Sequence, residues 1–99
     1  MSFITAYPDK LSAAAGHLES IGTTLNAGNA AAAGPTTGVV PAAADEVSAL
    51  TAAQFAAHGA RYQALSTQAA AIHHLLVATL AAAAGSYAAT EATNAASAV

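Results

Sequence analysis

At 99 residues the chain is one domain at most, and a third of it is alanine, which adds little buried area. The larger apolar residues, roughly one in five, fall short of a self-sufficient core, and no cysteine is present to staple a weak one, so a partner is expected. A net charge of −3, with Lys10 and Arg61 as the only cations, leaves no footprint for nucleic acid or an anionic membrane surface.

The opening "MSFITAYPDK" has neither a basic n-region nor a long apolar h-region, so no conventional signal peptide is expected; export would need another signal. Pro8 suits the first turn of a helix, and Asp9 complements its dipole. From there Leu11, Ala14, Leu18, Ile21, Leu25, Gly28 and Ala32 alternate at three and four residues, a heptad-like seam. This predicts helix 1 over about 8–33. Gly34 is placed to cap it and Pro35 to stop it. Gly38 and Pro41 keep the following stretch extended, giving a turn over about 34–44.

Asp45 and Glu46 reopen a helix at its electropositive end. Helix 2 is expected over about 45–84, roughly 40 residues and about 60 Å. Gly59 alone interrupts it, at about 1 kcal/mol, and does not end it. Strand signals are absent. Phe55, His58, Tyr62, Leu65, Ala69, Ile72 and Leu76 form a bulky seam at three-four spacing, while Ala57, Ala64 and Ala71 repeat every seven residues on another face. One face would serve helix 1 and the other a neighbour; the alternative is an exposed alanine face, alanine being the best helix former. Antiparallel pairing about the turn sets Leu11 near residue 66 and Ile4 near residue 73. The cluster "IHHLLVATL", Ile72 to Leu80, then projects past helix 1 under only Phe3, Ile4 and Tyr7, and such patches mark interfaces. The window from Ala69 to Ala84 is shorter than the ~20 residues of a membrane span and reads as a buried helix.

Chemistry is sparse. His17, His58, His73 and His74 include no pair at i, i+3 or i, i+4, the spacing that one helix needs to present two metal ligands. No G-x-S-x-G elbow or phosphate-binding glycine loop is present, and "GPTTG" without a lysine reads as a turn. No catalytic, cofactor-binding or metal-ligating residue is therefore assigned, and no small-molecule substrate is expected. Tyr87 and Glu91 stand four apart after the Gly85-Ser86 break, in a tail over 85–99 expected to be flexible. The spacing alone arises by chance about once in three chains of this length and, on a helix, is a side-chain contact of a few tenths of a kcal/mol.

Three blocks carry a family resemblance: "MSFITAYPD", "PTTGVVPAAADEVSALTAAQFAAHGARYQAL" and "GSYAATEATNAA". Over essentially the whole chain the sequence resembles the mycobacterial PE family in its short form, the PE domain alone, without a glycine-rich or enzymatic extension. The family's Pro-Glu dipeptide appears here as Pro8-Asp9, which keeps both the charge and the helix-start chemistry. The resemblance implies an all-α, antiparallel two-helix hairpin that completes an elongated four-helix bundle with a PPE protein. It further implies cytosolic folding and export by type VII secretion machinery to the cell surface or beyond, with a chaperone that binds the PPE subunit. The family's Y-x-x-x-[DE] export motif maps onto Tyr87 and Glu91.

Leu11, Leu18, Ile21, Leu25, Phe55, Tyr62, Leu65, Ile72, Leu76 and Leu80 are the packing residues expected of this reading; spacing does not say which face meets helix 1. Two other readings use the same seams: a self-associating hairpin homodimer of structural or cell-surface role, and a lipid-surface protein presenting Ile72 to Leu80.

Overall fold

The computed structural model describes residues 4–98 and contains two helices, α1 (Pro8–Thr37) and α2 (Glu46–Ser97). Phe3, expected to cover the Ile72–Leu80 cluster, lies outside the described residues. The Tyr7 carbonyl starts α1 by accepting from the Lys10 and Leu11 amides at 3.1 and 3.3 Å, with Pro8 in the first helical position, where no N–H is needed. Asp45 caps α2: its carboxylate takes the Ser48 amide at 3.0 Å and the Ser48 hydroxyl at 2.6 Å. These bonds hold the Asp45 carboxyl below its ordinary value of 3.8.

Both helices run further than their breakers predict. Pro35 sits inside the last turn of α1 rather than after its end, and no described glycine adopts a left-handed φ, so Gly34 is not a left-handed cap. In this last turn the threonine hydroxyls bond back one turn, Thr36 Oγ1 to Ala32 O and Thr37 Oγ1 to Ala33 O, both at 2.6 Å. The Gly38 amide then closes on Gly34 O at 2.9 Å. The expected end of helix 2 at 84 is likewise corrected: α2 passes through Gly85 and Ser86 to Ser97, so residues 86–97 are helical. A lone glycine among alanines lowers helix propensity by only about 1 kcal/mol, and no proline follows it. Ser86 O accepts from Thr90 Oγ1 within this continuous stretch.

The two helices form a hairpin whose chain divides into two compact units, residues 23–72 and residues 1–22 with 73–99. In the first unit, Asn29 bonds Tyr62 and Gln63, and Thr36 lies against Gly59, so the partners run antiparallel. The α2 side of this seam is small: Ala52 and Gly59 are buried, and Ala56, Gln63, Ser66 and Ala70 half-buried. At Gly59 the close approach requires glycine, because a Cβ there would lie 2.5 Å from Thr36 O. The segment after α1 runs beside the first turns of α2, where Val39, Val40 and Ala42 line a hollow with Val47, Ala52 and Phe55.

In the second unit, Leu18 and Gly22 meet His73, and Ala6 meets Glu91. His73 Nε2 lies 2.6 Å from Leu18 O, and the ring fills the space that a side chain at position 22 would need. Leu11, Leu18, Val77 and Leu80 are half-buried, and Ala15 and Ala84 are buried. The expected pairing, Leu11 near 66 and Ile4 near 73, is therefore out of register by several turns. Chain after Thr37 is spent running along the start of α2, so the Ile72–Leu80 cluster does not overhang: its His73, Val77 and Leu80 face α1.

Candidate functional site

The α1-facing row of α2 lies one residue, about 100°, round from the bulky seam read in the sequence. Small side chains bring the helices together and leave the large ones outside. Phe55 is 64% exposed, Tyr62 48%, Leu65 65% and Ile72 68%, with Leu25 of α1 also exposed in the same unit. Ala57, Ala64 and Ala71, the candidate close-approach face, are exposed as well. The buried hydrophobic residues described are alanines, Ala15, Ala52 and Ala84. A full Leu or Phe burial yields roughly 1.5–3 kcal/mol, so most of the stabilisation available to this sequence is not realised within the chain.

In the 23–72 unit the exposed rows turn to one side. Ala32 and Pro35 of α1 share a groove of about 400 Å³ with Phe55, His58 and Tyr62 of α2, and Asn29, Thr36 and Gly59 also line it. Asn29 ties the helices together beside it: its Oδ1 accepts from the Tyr62 hydroxyl at 2.7 Å and its carbonyl from Gln63 Nε2 at 2.9 Å. Phe55 and His58 also line a second hollow with Thr51, Gln54 and Arg61, so one cation lies beside the exposed apolar residues. In the other unit Ile21, Leu75 and Leu76 are exposed, together with Ile4 and Tyr7 ahead of α1. The Lys10 ammonium lies 5.2 Å from the Tyr7 ring centroid.

Tyr87 and Glu91 lie one turn apart on α2, not in an unstructured tail. Tyr87 is 51% exposed. Glu91 is half-buried, and its Oε1 accepts from the Ala6 amide at 3.3 Å. Among the described residues no three His, Cys, Asp or Glu side chains gather as a metal site would need. By length and composition α2 contains an 18-residue window apolar enough to cross a membrane, with mean hydropathy 1.5; only 6% of that window is buried. The expectation that the 69–84 stretch is buried is thus met only along its α1-facing row.

Sequence reading passes over Gly22 and Asn29, and notes Gly59 and His73 without their contacts to the other helix. Their signal was faint: each lies on a three-four row that includes alanine and serine, with little contrast against its neighbours.

Fold and surface define a class, a helical hairpin that joins its helices through small residues and presents its large apolar ones. The chain belongs to the PE family, whose model matches residues 4–94. It is similar to PE family protein PE13 of Mycobacterium tuberculosis (strain H37Rv), at 69% identity over 99% of each chain. It is 58% identical to PE-PGRS family protein PE_PGRS8 of the same strain, over 98% of this chain but 55% of that one. With PE cleavage protein A of M. tuberculosis (strain CDC 1551) it shares 56% identity over 94% of its own length, spanning 17% of that protein.

Proposed function

We propose that this chain is a non-enzymatic interaction module, the PE subunit of a secreted PE–PPE heterodimer that carries its export signal. The observation that carries the reading is the row of large apolar residues left exposed in the 23–72 unit, Phe55, Tyr62, Leu65 and Ile72, of which Phe55 and Tyr62 line a groove. Apolar residues gathered this way mark a surface that another protein covers. Two helices of a PPE protein laid against this side complete a four-helix bundle and supply the core that alanine cannot. Leu11, Leu18 and Leu80 support the hairpin, and Ile21, Leu25 and Leu76 extend the partner-facing set. Folding precedes export through type VII secretion machinery, with the chaperone engaging the PPE subunit and the pair reaching the cell surface or beyond.

Tyr87 and Glu91 serve as the export motif, displayed on a helix. Support for this comes from family membership and from the exposure of Tyr87. The test is Tyr87→Ala in a strain that secretes the pair. The heterodimer assembles in the cytosol as before, and the culture filtrate loses it. Normal secretion of the variant removes the motif reading, and loss of assembly assigns Tyr87 to the interface instead.

A further inference from the structure

Ala6 precedes α1, so its amide is not part of the helix ladder and needs an acceptor from elsewhere. Glu91 provides it at 3.3 Å from the far end of α2, across 85 residues of sequence. Packing accompanies this bond. Ala6, Pro8 and Leu11 are half-buried, as are Leu80, Ala83 and Glu91, and Ala84 is 2% exposed. The turns that follow Gly85 thus have a neighbour in the segment that leads into α1. Tyr87, one turn before Glu91, is open to solvent, as are Ile4 and Tyr7.

We propose that Glu91 is a latch: its carboxylate fastens residues 4–7 to the last turns of α2, making that segment part of the surface that presents Tyr87. The two motif residues divide the work. Tyr87 is displayed, and Glu91 positions the surface from within. A receptor reads Tyr87 together with residues 4–7, while the Glu91 oxygen bonded to Ala6 serves to place them. This recognition step rests on the export reading above; the latch does not.

The test is amide exchange by NMR on the full-length chain, purified with whatever subunit it assembles with. In Glu91→Ala the Ala6 amide exchanges about tenfold or more faster than in the parent, and the amides of residues 88–97 loosen with it. Glu91→Gln keeps an acceptor oxygen, so Ala6 stays within about threefold of the parent. Unchanged Ala6 exchange in Glu91→Ala overturns the latch. If exchange at Leu25 rises equally, the variant has lost its fold, and Ala6→Pro decides: it removes the donor and leaves the carboxylate. Loosening of 88–97 in Ala6→Pro supports the latch; unchanged exchange there overturns it. Export separates the two readings. Glu91→Gln that holds Ala6 but fails secretion shows the charge itself is read and overturns the division of roles, whereas normal secretion of Tyr87→Ala removes only the export reading.

Discussion

A Cβ at Gly59 would lie 2.5 Å from Thr36 O and 2.9 Å from its carbon, both backbone atoms of the other helix. Neither can yield without moving α1, so Gly59→Ala is expected to destabilise the hairpin by about 1–3 kcal/mol, read by thermal melting. Gly85, on the same helix, has no heavy atom within 4 Å of that position. There alanine only improves helix propensity, and Gly85→Ala is expected to stabilise by up to about 1 kcal/mol. The two variants move the melting temperature in opposite directions; equal shifts would contradict the close contact at Gly59. Asp45 adds a dependence on pH. Its folded pKa is lowered by the Ser48 hydroxyl first and the Ser48 amide second, so its contribution is present above 3.8 and is lost as pH falls through the folded value. Asp45→Asn keeps a capping oxygen without titrating. Its helicity at 222 nm should fall less than the parent's on acidification below pH 4, and identical acid titrations would show that the cap contributes nothing.

Among the elements, the hairpin was legible and its register was not. Pro8, Asp9, Asp45 and Glu46 marked both helix starts within a residue, because charge and proline chemistry at a helix N-terminus are local. The ends were less legible. Pro35 and Gly85 read as stops, yet the helices continue past both, with threonine hydroxyls bonding back to carbonyls one turn earlier beside each. The bulky three-four row was the clearest periodic signal, but it identifies apolar residues without saying what covers them. The contact with α1 fell one position later, on Ala56, Gly59, Gln63 and Ser66, where alanine-rich sequence offers no contrast. The candidate site was legible in part for the same reason. Tyr87 and Glu91 were singled out by the family resemblance, their spacing alone being near chance, while the tie from Glu91 to Ala6 crosses 85 residues and leaves no sequence pattern. Sidedness has a direct check at this scale. Leu65→Glu places a charge on the bulky side and is expected to abolish co-purification with a PPE partner, whereas Ala64→Glu, one residue round, preserves it. Equal effects would mean that the partner does not use the bulky side.

Taken whole, the chain has few large apolar residues and, among those described, leaves most of them exposed. The buried hydrophobic residues described are Ala15, Ala52 and Ala84, while Phe55, Leu65, Ile72 and Leu75 face solvent. At roughly 1.5–3 kcal/mol for each large side chain fully buried, covering even a few of them would add several kcal/mol. On the proposed reading the chain is an obligate subunit, with a stability inseparable from its partner's concentration. The most direct measurement is sedimentation equilibrium with circular dichroism, on the chain expressed alone and on the chain co-expressed with a PPE protein. The chain alone is expected to aggregate or to be weakly helical, and the co-expressed pair to be a 1:1 species with both helices formed. A chain that sediments alone as a well-folded, cooperatively melting monomer would contradict that reading, and a discrete homodimer would replace the PPE partner with a second copy.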